Sequence, residues 1–223
     1  MRLLRSALAV LEKDFLLEAR TRYGVNTIAL FVVISVALAL FSLAGEELKN
    51  EVVATLMWNT IFFAAMTALQ RGFVSEAERG TAMFLALSAS ATAIFLGKAI
   101  YNFLLSLVVN ALVAALYALF LNLKVETWEI FMATLFLASV STAVTLTLIS
   151  AMVANANSRG GLFAVLSFPI LLPMILLVVR ATRISTMEDA PFFRAETELQ
   201  LLAAYAVVMF TVSLLLFEFV WEE

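Results

Sequence analysis

Residues 130–158 read IFMATLFLASVSTAVTLTLISAMVANANS and contain no charged side chain. A helix rises 1.5 Å per residue, so about 20 apolar residues cross the roughly 30 Å hydrocarbon core of a bilayer. This run exceeds that length. Moving outward from it, uncharged runs recur at 99–123, 80–97, 52–70 and 23–45 toward the N-terminus, and at 160–179 and 199–217 toward the C-terminus. Of the 223 residues, 64% are hydrophobic and only 14% charged, whereas a soluble domain carries about a quarter charged residues to face water. The chain's main solvent is therefore lipid.

The run at 80–97 differs from the others. Its middle, Leu87-Ser88-Ala89-Ser90-Ala91-Thr92-Ala93, is small and weakly apolar, and Gly80 and Gly97 bracket it. It reads as a cytoplasmic or interfacial segment of two short helices. The other six runs read as spans. Lipid offers no hydrogen bonds, so each must satisfy its backbone internally as a helix, and a barrel would show short alternating strands instead. The fold class is all-α, a polytopic membrane protein with six transmembrane helices, forming one domain over 1–223.

With the N-terminus inside, the inner segments hold Arg2, Arg5, Lys13, Arg20, Arg22, Arg71, Arg79, Lys98 and Arg159. The outer segments then hold Lys49, Lys124, Arg180, Arg183 and Arg194. The excess inside predicts cytoplasmic N- and C-termini. Ser42-Leu43-Ala44 looks like a small-x-small cleavage site, but the preceding apolar run is too long for a signal peptide, so the first helix is read as uncleaved.

Residues 1–22 precede the first span. Leu4, Leu8, Leu11 and Phe15 recur at helical spacing with Arg5, Glu12 and Lys13 elsewhere around the turn, which predicts a helix lying in the membrane interface. It serves either as a plain anchor or as an elbow that docks on the bundle or on a cytoplasmic partner. The outer segment 180–198 carries Glu188, Asp189, Pro191, Phe192, Phe193, Arg194, Glu196 and Glu198, which suits either a dip into the outer interface or a solvated loop with an aromatic anchor.

Polar residues within the spans have packing and functional readings. Ser139, Ser141, Thr142, Thr145, Thr147 and Ser150 allow close helix approach, or line a polar route. Asn59, Gln70, Asn102 and Asn110 need partners in lipid, which interhelical bonds supply. Pro169 and Pro173 share a face and free the carbonyls of Val165 and Pro169, which predicts a kink, either static or moving.

Histidine and cysteine are absent from the chain. That excludes disulfides, Cys- or His-based zinc and iron–sulfur sites, and His-activated nucleophiles. No span holds a central acid or base, which argues against an ion relay. Gly97-Lys98-Ala99 has no glycine at 92 and no Ser or Thr after the lysine, so there is no phosphate-binding loop. The net charge of −3 gives no basic stripe for nucleic acid. The chain is not expected to be an enzyme. Transport driven by another subunit, channel formation or assembly remains.

Two segments carry a family resemblance. One runs from Trp58 to Ala99 and includes Gln70-Arg71-Gly72, Glu76-Ala77-Glu78-Arg79-Gly80-Thr81 and Gly97-Lys98. The other is Ser158-Arg159-Gly160-Gly161 ahead of the helix with Pro169 and Pro173. Both resemble the CcmB family, the haem exporter protein B of cytochrome c maturation, an ABC-2-type permease. Lys13-Asp14 and Glu18-Ala19-Arg20-Thr21-Arg22 look like its N-terminal stretch. The sequence departs from the family pattern at Leu87-Ser88-Ala89-Ser90, where a proline is expected.

The resemblance implies an ABC-2-type architecture with an N-terminal elbow helix, and a CcmA-type ATPase partner. The ATPase would dock through residues 71–98, a cytoplasmic coupling loop between spans two and three. Arg71, Glu76, Glu78, Arg79 and Lys98 are the implied coupling residues, with Gly80 breaking the helix; alternatively these charges only solubilise a loop. Further implied are two permease copies, CcmC- and CcmD-type membrane subunits, a CcmE-type haem chaperone, and residence in the inner membrane. Haem is implied as cargo of the complex, not as a cofactor of this chain. With no His, haem iron would be ligated by a neighbour or by a weaker group such as Met or Tyr. The alternatives are an ABC-2 permease exporting a lipid or drug, and a non-transporting assembly scaffold.

Overall fold

The computed structural model describes residues 2–43, 48–154, 156, 159–188 and 190–222. In chain order the helices are α1 (Arg2–Thr21), α2 (Tyr23–Leu43), α3 (Asn50–Leu69), α4 (Arg71–Arg79), α5 (Ala82–Ser88), α6 (Ala91–Phe120), α7 (Trp128–Val153), α8 (Arg159–Ser185) and α9 (Glu196–Glu222). A 3-10 turn, Phe192–Ala195, precedes α9. Among the described residues, six segments are long and apolar enough to cross a membrane: α2, α3 continuing through α4, α6, α7, α8, and the 3-10 turn with α9.

The quoted run becomes α7, the centre of the bundle. It packs against α3, α4, α6, α8 and α9. Its small hydroxyl residues make this possible. Thr134, Ser139, Ser141 and Thr147 donate to the carbonyls of Ile130, Leu135, Leu137 and Ala143 one turn back, at 2.6–2.8 Å. Their polar atoms are thereby satisfied, and the helix can be buried on all sides over 141–151. Two amides then join α6 to α7: Asn102 Nδ2 donates to Thr147 Oγ1 at 2.7 Å, and Asn110 Nδ2 to Ser139 Oγ at 2.9 Å. The packing reading of span four therefore holds. Asn59 is different. It is exposed on α3, beside a 390 Å³ crevice between α2 and α3.

At the end of the bundle away from α1, Trp58 Nε1 donates to Thr182 Oγ1 at 2.7 Å and joins α3 to α8. Arg183 pairs with Glu51 at 2.8 Å. The amides of Glu126 and Thr127 donate to the carbonyl of Ser185. These contacts explain a difference from the expected boundaries. Span five continues past residue 179 to Ser185, because α8 has polar partners along its last turns. Asp189 lies outside the described residues.

Two further boundaries shift. The weakly apolar run 80–97 is not all separate from the spans: α6, the helix of the third span, begins at Ala91, where Ser90 Oγ accepts from the amide of Ala93. A serine cap satisfies one of the free amides of a helix start, so the helix begins earlier than hydropathy alone suggests. Pro169 and Pro173 lie inside an α8 that continues through both, and both face outward. Nearby, Tyr205 Oη donates to the carbonyl of Ile170 at 2.8 Å.

Candidate functional site

α1 supplies two faces. Leu4, Leu8 and Leu16 are exposed, while Ala7 and Val10 are buried. The buried face lies on α6, where the crossing is tight at Gly97. A Cβ there would fall 2.6 Å from the Ala7 carbonyl oxygen and 2.8 Å from Val10 Cβ. Only glycine permits that approach. Phe15 meets the ring of Tyr101 edge-on at 5.2 Å one turn further along. The leucine face therefore points outward, and α1 is docked as an elbow on the third span. Arg22, in the left-handed region at φ 50°, makes the turn into α2. Glu18 Oε1 accepts from the Val25 amide at 2.8 Å.

This docking brings together four charges from three helices. Lys98, on α6 next to Gly97, is almost wholly buried. Its Nζ contacts Asp14 Oδ2 at 3.1 Å, Glu76 Oε1 at 3.2 Å and the Gly72 carbonyl at 3.0 Å. It also lies 4.9 Å from the centre of the Phe73 ring. Lys13 pairs with Glu76, and with Asp14 at 3.2 Å. Thr81 Oγ1 donates to Glu76 Oε2 at 2.5 Å. Two cations and two anions cancel, which is what lets Lys98, Glu76 and Asp14 sit in a low-dielectric interior, with Lys13 partly exposed at its rim.

The same end fixes α4. Ser150 on α7 donates to the Gln70 carbonyl at 3.1 Å and accepts from the Phe73 amide at 3.0 Å, tying the α3–α4 break to the central helix. Phe73, Phe95, Phe217 and Trp221 form an aromatic cluster with ring centres 5.2–5.6 Å apart in contacting pairs. It closes the knot from the α9 side. α4 then stops at Gly80, whose φ of +68° is a left-handed helix ending.

Beyond Gly80, α5 stands outside the spans. Met83, Phe84 and Leu87 are 74%, 79% and 77% exposed. Large apolar side chains this exposed, on a short helix between two spans, offer a contact to something else.

The expected coupling residues therefore separate. Arg71, Glu78 and Arg79 are exposed on α4, with Arg71 and Glu78 4.0 Å apart. Glu76 and Lys98 turn inward and bind one another within this chain. The stretch 71–98 is not one loop: it is α4, α5 and the first two turns of α6. Sequence reasoning missed Lys13 and Asp14 as partners of the knot, Gly97 as the crossing, and Met83, Phe84 and Leu87 as the exposed tip. The apolar triplet was readable as a signal, since apolar residues in a segment read as cytoplasmic or interfacial need a partner or a lipid surface. Ser158 and the side chain of Arg159 lie outside the described residues.

A six-span helical bundle, an N-terminal helix docked on its third span and a short apolar helix held out between spans two and three are the build of a transporter's membrane subunit. The family model described as CcmB protein matches residues 5–219, and the chain belongs to that family. It is thus a haem-exporter permease component of an ABC transporter, a multi-pass inner-membrane protein that works with other Ccm subunits. No curated protein matches the chain.

Proposed function

We propose that α5 is the element through which a CcmA-type ATPase drives this permease, and that the buried charge knot carries the motion into the bundle. The observation that supports this most is the pairing of an exposed apolar tip, Met83, Phe84 and Leu87, with a base that is tied to three helices. A displacement of α5 pulls on Gly80 and Thr81. Thr81 holds Glu76, which Lys98 joins to α6 and Lys13 joins to α1. Packed, hydrogen-bonded units of this sort move as a body, so α1, α4 and the start of α6 shift together. The exposed Arg71, Glu78 and Arg79 flank the contact, where charge steers association more than it strengthens it.

In this reading the α1 end, with both termini, faces the cytoplasm. Two copies work with two ATPases and with CcmC- and CcmD-type subunits in supplying haem to a CcmE-type chaperone. Haem iron is held by a neighbouring subunit, because this chain offers no His or Cys.

The absence of cysteine makes the test clean, since a single introduced thiol is unique. Phe84→Cys should form a crosslink to the ATPase in native membranes, and Phe193→Cys, at the other end of the bundle, should not. A crosslink from position 193 with none from position 84 would overturn the reading.

A further inference from the structure

A cavity of about 760 Å³ opens beside the charge knot, between α1, the start of α2, the α3–α4 break and α6. Six charged residues line it: Asp14, Glu18, Arg71, Glu78, Arg79 and Lys98. Three are acids and three are bases, so the wall is neutral overall. The signs are not evenly mixed. On the α1 side Asp14 is already paired with Lys98 at 3.1 Å and with Lys13 at 3.2 Å, so the negative excess of that wall belongs to Glu18, one turn along. On the α4 side Arg71 and Glu78 offset each other at 4.0 Å, which leaves that wall with the positive excess of Arg79.

The cavity is lined by the start of the α2 span and the end of the α3–α4 span, and span ends at this position belong to a membrane boundary. Leu17, Val25 and Leu105 continue its wall on α1, α2 and α6. A charged floor with an apolar flank at a bilayer boundary fits an amphiphile. Its volume lies in the range of a ligand site. An anionic headgroup would meet Glu18, and a purely cationic one would meet Arg79. A zwitterion places an ammonium against Glu18 and a phosphate against the arginine.

We propose that this cavity binds one phospholipid with a zwitterionic, primary-amine headgroup, of the phosphatidylethanolamine kind. Its ammonium donates a hydrogen bond toward Glu18, its phosphate accepts from Arg79, and an acyl chain lies along Leu17, Val25 and Leu105. A quaternary ammonium carries the same charge and no donor, so a choline headgroup loses the charge-assisted hydrogen bond to Glu18.

The test uses the whole chain in nanodiscs containing equal parts of dioleoyl phosphatidylethanolamine, phosphatidylcholine and phosphatidylglycerol. Retained lipid is counted by native mass spectrometry. One ethanolamine lipid per chain should be retained, in preference to choline lipid by roughly tenfold. Glu18→Gln should abolish that preference, since the amide still accepts from the Val25 amide but no longer carries charge. Arg79→Gln should lower retention of all three lipids alike. Unfolding midpoints of both variants near that of the wild type confirm that they fold. Soluble glycerophosphoethanolamine should fail to displace the lipid; displacement would show that the site reads a headgroup without a membrane source and would overturn the proposal. Equal retention of the three lipids, preference for the glycerol lipid, or an unchanged pattern in both folded variants would overturn it too.

Discussion

At the scale of single residues, the knot makes sharp demands. Glu76 and Lys98 are 4% and 2% exposed. Removing one member of a buried pair costs about 3–5 kcal/mol where it strands the other. Here Asp14 and Lys13 compensate the charge left behind in part, so each loss is smaller, and removing both restores the balance of the knot. Glu76→Gln and Lys98→Gln should each lower the unfolding midpoint in detergent, and the double variant should lose clearly less than the two changes summed. Strict additivity would show that the two side chains do not interact. The two glycines beside the knot differ in a second measurable way. Gly97→Ala drives a methyl group against the Ala7 backbone, and overpacking of this kind costs about 1–3 kcal/mol. At Gly72 the added Cβ meets Ser150 Oγ at 3.5 Å, an ordinary contact, so Gly72→Ala should be tolerated. Limited proteolysis should release α1 from the Gly97→Ala protein and spare the Gly72→Ala protein. Lys13-Asp14 and Gly97-Lys98 stood out in the sequence as marks, but their meeting did not. Lys98 and Asp14 are 84 positions apart. Periodicity shows which face of a helix is apolar and says nothing about which other helix that face meets.

At the scale of elements, the sequence located the spans through run length and placed their ends less well. Hydropathy averages over a window, whereas helix ends depend on single groups. Ser90 starts α6 through one hydrogen bond, and Gly80 ends α4 through one backbone angle. A non-glycine residue in the left-handed region costs about 1–2 kcal/mol. Gly80 has open space around it, so Gly80→Ala strains only the backbone. Gly80→Ala should weaken ATP-driven activity of the assembled complex, and Gly80→Asn should weaken it less, because asparagine tolerates this region better. Equal activity in both variants would show that the α4–α5 turn does not matter. The leucine face of α1 was legible as an apolar face, and its outward direction was not. Its small opposite face, Ala7 and Val10, gains more by fitting onto Gly97 than large leucines would. The prolines show the same limit: their shared face was readable, while α8 continues through both.

At the scale of the whole molecule, six spans and membrane residence follow from composition, since a chain this poor in charge has no other stable solvent. The coupling account adds a direction. A membrane-impermeant thiol reagent added to intact cells should label Phe193→Cys and leave Met83→Cys unlabelled until the membrane is opened. The reverse pattern would invert the topology. What composition could not show is the arrangement at the α1 end, where Glu76 and Lys98 are turned inward, Arg71, Glu78 and Arg79 stay exposed, and the tip of α5 is apolar. The most direct measurement is therefore capture of the ATPase from native membranes by the tagged chain. Phe84→Asp with Leu87→Asp alters only exposed side chains, which usually changes stability by about 0.5 kcal/mol or less. This pair should keep the wild-type unfolding midpoint and lose ATPase capture by at least about tenfold, as expected when apolar anchors at an interface are replaced by charge. Undiminished ATPase capture by that folded double variant would contradict the account.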